Sequence, residues 1–171
     1  MIDGAPLDIV PDDPALRLRP AGPGDEPFLR HLFAEVRTGQ LTATGLPGPI
    51  VGQIVAQQFR SQTAGYAAQF PDAISLILTR DDVAIGRLLL HCASERWHII
   101  DIALLPAECG RGAGTEIFGA LEASARQRGV GALALSVFAN NLAAHRFYLR
   151  RGFSGTGQAG VAHIAMRKDL V

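Results

Sequence analysis

The sequence predicts one domain of mixed α/β class, with a central, mostly antiparallel twisted sheet of six to seven strands flanked by about four helices. Length and composition are the first indication: 171 residues, of which 48% are hydrophobic, suit a single domain with a sizeable core. The order of the periodic segments is the second. A strand and two helices precede a run of strands, and a strand–helix–strand unit, a helix and a strand complete the chain.

The N-terminal segment predicts a tail and a first strand. Residues 1–14 are acidic and proline-rich, so we expect a flexible tail ahead of a domain that covers residues 15–171. Apolar and basic residues alternate over Ala15–Ala21, which is typical of a strand. The tail lacks the basic start and apolar core of a signal peptide.

Two helices are expected next, because apolar residues recur at helical spacing on either side of a loop. Asp25 can cap a helix over Glu26–Thr38. The glycine- and proline-rich segment Gly39–Pro49 predicts the loop. The second helix is expected over roughly Ile50–Phe70, with Gly65 as a candidate break.

The rest of the chain predicts five more strands and two more helices. Short apolar runs bounded by turn residues indicate strands, and apolar residues one turn apart indicate helices. In chain order the elements are the strand Ala73–Thr79, the tight turn Arg80–Asp82, the strands Val83–Cys92 and Trp97–Leu105, a helix from about Gly114 to Arg128, the strand Ala132–Ala139, a helix capped by Asn141 and ending near Arg151, and the strand Val161–Lys168.

Composition and charge argue against several classes of protein. The net charge is zero, which does not favour a general nucleic-acid binder. The sequence contains no run of about eighteen apolar residues that could cross a membrane. Cys92 and Cys109 form neither a disulfide framework nor a metal cluster, so we expect a reduced, cytoplasmic protein without a metal. The C-terminal half carries the excess of basic residues, which suits an anionic ligand there.

A glycine-rich segment, PAECGRGAGT over Pro106–Thr115, joins a predicted buried strand to a helix. Its glycines let the backbone bend tightly and leave N–H groups free to face an anion. The helix that follows adds about half a positive charge at its N-terminus. The segment therefore predicts a phosphate-binding site, with a plain glycine-rich turn as the alternative.

The type of phosphate ligand is constrained by what this segment lacks. A Walker loop would end in Gly-Lys-Ser/Thr, which is missing. The dinucleotide pattern G-x-G-x-x-G fits Gly110 and Gly112, but Thr115 replaces its third glycine. No acidic residue follows the next strand at Phe138–Asn140 to bind a ribose hydroxyl. A nucleotide-dependent oxidoreductase is therefore a weaker alternative.

A second pattern, SVFANNLAAHRFYLRRGF over Ser136–Phe153, supplies a family resemblance. Its residues are placed as in the second signature of the GCN5-related N-acetyltransferases (GNAT), and Pro106–Gly114 resembles their first signature, Q/R-x-x-G-x-G/A. The resemblance covers about residues 15–168. Cys109 departs from it, because the family usually has Gln or Arg there, and Arg111 follows two residues later. The residues that match the second signature are Val137, Asn141, Ala144, Tyr148, Gly152 and Phe153.

The resemblance implies acetyl-CoA as donor and a primary amine as acceptor, with direct attack of the amine on the thioester. Dimers are frequent in the family, so the resemblance also favours a homodimer. A non-catalytic acyl-CoA-binding module of the same fold is the alternative. The family's pantetheine arm would lie along the backbone of Leu104 and Leu105, and Asn141 matches a position that contacts the cofactor. The pyrophosphate would rest on Gly110, Arg111, Gly112, Ala113, Gly114 and Thr115.

Catalysis needs an acid for the leaving thiolate and a base for the amine. Tyr148 matches the family's tyrosine and is the predicted acid. His98 and Asp101 are candidate bases, and ordered water is the third option. His98 lies eleven residues before Cys109, where the histone acetyltransferase branch of the family has its glutamate. The two residues are three positions apart, so a regular strand puts them on opposite faces, and a bulge would change that.

The acceptor is expected on the side covered by the two N-terminal helices, with Gln40–Pro49 as a candidate lid. A small amine, an amino acid and a peptide N-terminus all stay open. A large acidic groove for a polycationic aminoglycoside is not evident. The polar residues that could face an amine are Glu35, Gln53, Gln57, Gln58 and Asp72.

Overall fold

The computed structural model of the protein describes residues 7–170, except for the side chains of residues 39, 40 and 42. Within that range the chain forms seven strands and four α-helices. The helices are α1 Glu26–Leu41, α2 Gly48–Gln69, α3 Ala113–Gln127 and α4 Leu142–Arg150. The strands are β1 Leu16–Pro20, β2 Ile74–Arg80, β3 Val83–Cys92, β4 Arg96–Leu104, β5 Ala132–Phe138, β6 Ser154–Gln158 and β7 His163–Asp169.

All seven strands belong to one sheet with the order β1-β2-β3-β4-β5-β7-β6. Every neighbouring pair is antiparallel except β4 and β5, which run parallel with α3 as their connection. The hairpin between β2 and β3 turns at Asp81 and Asp82, whose φ angles are 49° and 66°. Two left-handed residues are what a two-residue hairpin turn requires, and aspartate tolerates that conformation. The predicted mixed α/β class and mostly antiparallel sheet are confirmed.

One predicted loop is instead mostly helical, and one strand was not predicted. The segment Gly39–Pro49 is mostly helical: α1 continues to Leu41, a 3-10 turn follows at Thr42–Thr44, and α2 begins at Gly48. The prolines that suggested a loop lie at the start of α2. The first residues of a helix donate no hydrogen bond within it, so the missing N–H of proline costs nothing there. Strand β6 was not predicted, because its sequence SGTGQ has no apolar residue and all of it is exposed. It is ordered by pairing with β7 at the edge of the sheet.

The core lies between the sheet and the helices. The predicted apolar row of α3 is buried, with Ile117 and Leu121 in contact with the core side of the sheet. Of the predicted tail, residues 1–6 lie outside the described chain, while Ile9 is 4% exposed and joins the same core cluster. The division of the chain at residue 15 stays a prediction. None of the helices in the described part of the chain is long and apolar enough to span a membrane.

A buried carboxylate ties the C-terminal end of α4 to the rest of the domain. Glu122 on α3 is 7% exposed and lies 2.8 Å from Nζ of Lys168 and 3.2 Å from Nη2 of Arg151. A third cation, Arg126, approaches its other oxygen at 3.6 Å. Lys168 is on β7 and Arg151 follows α4, so one side chain links three elements.

Replacing Glu122 with alanine is expected to lower the free energy of unfolding by about 1–3 kcal/mol, because it removes a buried carboxylate that accepts hydrogen bonds from the partly exposed Lys168 and Arg151. Urea unfolding monitored by circular dichroism measures this loss. Alanine at the exposed Glu95 is the control, since a surface change usually costs less than about 0.5 kcal/mol. A loss below about 1 kcal/mol for Glu122→Ala would show that the three cations do not depend on this carboxylate.

Candidate active site

A bulge in β4 brings the two candidate bases to one face of the sheet. Leu89 on β3 pairs with Asp101, and Leu90 pairs with Ile99, so Ile100 is an extra residue on β4. The side chains of a strand alternate between faces, and one extra residue shifts that alternation by one. His98 and Asp101 consequently line the same cavity, although a regular strand would separate them.

The bulge coincides with the point where β4 and β5 separate. Their parallel pairing runs from Arg96–Ala132 to Ile99–Leu135 and goes no further, although both strands continue. A cavity of about 520 Å³ opens beyond the last pair. It is lined by the diverging strands, the end of α2 and one face of α4, and it contains both tyrosines of the chain, Tyr66 and Tyr148.

A second cavity, of about 570 Å³, lies between α1, α2 and the C-terminal half of β4. It contains Leu104, Pro106 and Cys109. The two cavities share several lining residues and therefore adjoin. These shared residues are Arg37, Gln62, Asp101, Ile102, Phe138 and Asn141.

Asp101 occupies the junction of the cavities. Its side chain is 28% exposed, and its Oδ2 lies 3.8 Å from Nε of Arg87, whose own side chain is 13% exposed. Burial raises the pKa of Asp101, while Arg87, Arg37 and the backbone N–H of Ile102 act in the opposite direction. The group is therefore a stronger base than an ordinary exposed carboxylate.

Tyr148 faces the same cavity from α4. Its ring packs among Phe118, Phe147 and Phe153 at centroid distances of 5.6 to 5.9 Å. Burial, and then the charge of Asp101, raise the pKa of Tyr148 to about 12. Its phenol thus holds its proton at neutral pH and can donate it. The pKa of Tyr66 is also raised by burial and by Asp101.

His98 stacks on Phe70 with 5.6 Å between the ring centroids and an interplanar angle of 18°. Burial lowers the pKa of His98, and the neighbouring Arg96 and His91 lower it further. The imidazole is therefore mostly neutral at pH 7, with one nitrogen able to accept a proton.

The glycine-rich loop ends at the N-terminus of α3 in the conformation that the sequence predicts. Gly110 and Gly112 have φ angles of 77° and 85°, and a Cβ atom at either position would meet nothing within 4 Å. The first helical bond runs from the N–H of Glu116 to the carbonyl of Gly112 at 3.1 Å. The N–H groups of Ala113, Gly114 and Thr115 precede it and have no partner within the helix. Among the described residues, no side chain caps this end of α3.

The side chains of this loop are held away from its backbone N–H groups. Arg111 Nη1 lies 3.1 Å from a carboxylate oxygen of Glu108, and Arg80 Nε lies 3.0 Å from the other. Cys109 is exposed, and its sulfur is 3.7 Å from the carbonyl oxygen of Leu105. The N–H of Leu105 already bonds to Ile85 at 2.8 Å, so it is not free for a ligand.

Asn141 has the capping role that its position predicts. Its Oδ1 accepts a hydrogen bond of 3.2 Å from the N–H of Ala144 and so starts α4. The residue also lines both cavities. The side chain of Asn141 therefore caps α4, and the same residue lines the candidate site.

The acceptor-side predictions agree only in part with the cavity linings. Glu35 lines the second cavity, whereas Gln53, Gln57, Gln58 and Asp72 line neither. Gln62 and Gln69 are present instead, on later turns of α2. The proposed lid over residues 40–49 includes side chains outside the described set. Within the described residues, no group of three His, Cys, Asp or Glu side chains could hold a metal.

Sequence reasoning missed three residues of the site. The sequence assigns no site role to Arg37, Arg87 or Tyr66, yet all three line the cavities. A weak signal exists for Arg87, which stands alone among the apolar residues of β3. For Arg37 and Tyr66, only the packing of α1 and α2 on the sheet shows that the side chains line the cavities.

Comparison with known proteins identifies what the chain resembles. Residues 49–153, more than half of the chain, match the model of the acetyltransferase (GNAT) family. No curated protein sequence is a significant match. Among solved structures, the PaiA N-acetyltransferase of Thermoplasma acidophilum, solved in complex with coenzyme A, superposes with a TM-score of 0.70 at 16% identity, over 90% of this chain and 98% of the other.

Two further structures show the same likeness. A GCN5-related N-acetyltransferase of Rhodopseudomonas palustris has a TM-score of 0.65 at 25% identity, with 95% of this chain and 99% of the other covered. The ribosomal-protein-S18-alanine N-acetyltransferase of Escherichia coli has a TM-score of 0.60 at 16% identity, with 91% and 94% covered.

Proposed function

The chain belongs to the acetyltransferase (GNAT) family, and we propose that it transfers an acetyl group from acetyl-CoA to a primary amine. One observation carries the proposal. The two candidate bases, which the bulge at Ile100 brings to one face of β4, line the same cavity as Tyr148 of α4, at the point where β4 and β5 part. An amine and a thioester brought together there would have both proton acceptors and a proton donor beside them.

The residues present fit an acyl-CoA. The N-terminus of α3 offers the uncapped N–H groups of Ala113, Gly114 and Thr115 to a phosphate, and the open space above Gly110 and Gly112 leaves room for it. The C-terminal half of β4, which pairs with β3 on one side, has no β5 partner on the other. Backbone at Leu104 could thus bind the amides of a pantetheine arm. The bound donor supplies the thioester carbonyl that is attacked.

The proton transfers are assigned to two side chains of this site. The nitrogen of the amine forms a bond to the carbonyl carbon while the carbon–sulfur bond breaks. Asp101, directly or through water, takes the proton that the amine must lose, and Tyr148 gives a proton to the leaving thiolate. Asp101 is favoured over His98 because it lies where the cavities adjoin, whereas His98 lines only the first of the two.

Calorimetric titration with acetyl-CoA, CoA and NAD in parallel tests the binding half of this proposal. Selective binding of the CoA compounds is expected. A thiol-release assay with a panel of primary amines then tests turnover. Binding without turnover on any amine would support a non-catalytic acyl-CoA-binding module, and a preference for NAD would contradict the assignment of the loop.

The pH dependence of kcat/KM is expected to identify the base. Two protons must be absent for reaction, one from the acceptor amine and one from the base, so the logarithm of kcat/KM should fall with a slope of about one below the pKa of the amine and about two below that of the base. Burial raises the pKa of Asp101, so with this base the slope should change at a pH above the usual carboxyl pKa. Burial lowers the pKa of His98, so with that base the slope should change at a pH below the usual imidazole pKa.

Two variants separate these cases. In Asp101→Asn the steeper limb should disappear, and in His98→Gln it should persist. Initial rates of thiol release across the acid range provide the measurement. Disappearance of the limb in His98→Gln alone would assign the base to the histidine. Persistence in both variants would assign it to another side chain, and absence of the limb from the wild-type protein would assign the proton to water.

A further inference from the structure

We infer that the acceptor is a primary amine that also carries a carboxylate, as a free amino acid does, and that Arg37 binds this carboxylate. The inference rests on the proposed function. It names the chemical class of the acceptor, which family membership leaves open.

Arg37 is placed to bind an anion inside the site. It projects from α1 and lines both cavities. Its guanidinium carbon lies 5.2 Å from the ring centroid of Phe33 and 5.9 Å from that of Phe138. Aromatic rings hold the plane of a guanidinium and leave its N–H edge free for a carboxylate. The side chain is therefore oriented before any ligand binds.

Arg37 forms no ion pair with the described carboxylates. Among the side chains that the structure describes, no carboxylate lies within 4.0 Å of its guanidinium. Asp101 is the acidic residue at the junction of the two cavities, and its Oδ2 already lies 3.8 Å from Nε of Arg87. Glu35 lines the second cavity, but its side chain is exposed and does not pair with Arg37. The junction of the cavities thus holds two guanidinium groups for one half-buried carboxylate.

An acceptor that complements this arrangement has a charge of each sign. Its amine would face Asp101 and Tyr148, and its carboxylate would face Arg37, which can form two parallel hydrogen bonds with it. A polyamine or an aminoglycoside would instead bring further positive charge against Arg37. The histidines of the first cavity, His98 and His163, add no negative charge.

Matched acceptors test the inference. Each of several L-amino acids is compared with its amide and with the amine that lacks the carboxyl group, and kcat/KM is measured by thiol release at saturating acetyl-CoA. We expect the wild-type protein to prefer the acid over its amide by at least about tenfold, the value of one hydrogen bond to a charged group. In Arg37→Gln this ratio should fall toward one, mainly through a higher KM for the acid, and Arg37→Lys should retain part of it.

Arg60→Gln is the matched control, because Arg60 is exposed on α2 and lines neither cavity. Its acid-to-amide ratio should equal that of the wild type. Turnover of amides or plain amines at least as fast as of the acids, or an unchanged ratio in Arg37→Gln, would overturn the inference and leave the proposed function standing. Turnover of no amine at all would contradict the proposed function itself, and this inference with it.

Discussion

Gly112→Glu is expected to abolish binding of acetyl-CoA. The glutamate carboxylate would stand at the N-terminus of α3, beside the N–H groups that we assign to the pyrophosphate, and would occupy the site with charge of the same sign as the ligand. The space around Gly112 is open, so no steric clash within the protein opposes the side chain. Isothermal titration with acetyl-CoA measures the effect, with no detectable heat as the expected result.

The control for this variant is Gly112→Ala. Both substitutions place a Cβ at a φ of 85°, which costs about 1–2 kcal/mol for a residue other than glycine. They therefore share the backbone strain, and only glutamate adds the charge. Alanine should weaken binding by much less than glutamate. If Gly112→Glu bound acetyl-CoA normally while melting like Gly112→Ala, the phosphate site would have to lie elsewhere.

Tyr148→Phe is expected to lower kcat by about 100-fold, the lower end of the usual range for general acid catalysis, with acetyl-CoA affinity unchanged. Phenylalanine keeps the ring that packs against Phe118, Phe147 and Phe153, so the fold should persist. Thiol-release kinetics and titration with acetyl-CoA separate turnover from binding.

The other tyrosine of the cavity makes this test specific. Tyr66 lines the same space and also has a pKa raised by burial and by Asp101. A large loss in Tyr148→Phe and a small one in Tyr66→Phe would assign the acid to Tyr148. The reverse result would move that role to α2, and a small loss in both would mean that water protonates the thiolate.

The sequence was sufficient for the class of the fold because the deciding signals are local. The hairpin turn at Asp81–Asp82, the cap at Asn141 and the glycines of the loop each depend on a few neighbouring residues, and each is present in the structure. Strand β6 gave no such signal, since its order comes from its partner in the sheet rather than from its own residues. The start of α2 was misplaced because proline also serves as a helix start.

The composition of the site was less predictable than the fold. Whether His98 and Asp101 share a face depends on one bulge, and a bulge is set by pairing with β3 rather than by any residue type in β4. Arg37 and Tyr66 come from helices whose rotation against the sheet cannot be read from periodicity alone, because both residues are half-buried. The glycine-rich loop and the second signature could be predicted, because the residues that define each of them lie in one continuous segment of the sequence.

The early end of the pairing between β4 and β5 affects the mechanics of the whole sheet. Strands β1 to β4 and strands β5 to β7 are joined only through the short ladder from Arg96–Ala132 to Ile99–Leu135, at one end of the gap. The later residues of β4 and β5 are therefore not paired with each other, and a molecule bound between them would bridge that gap. If acyl-CoA binds there, it connects the unpaired parts of β4 and β5 as well as reacting. Each release of CoA then removes that connection.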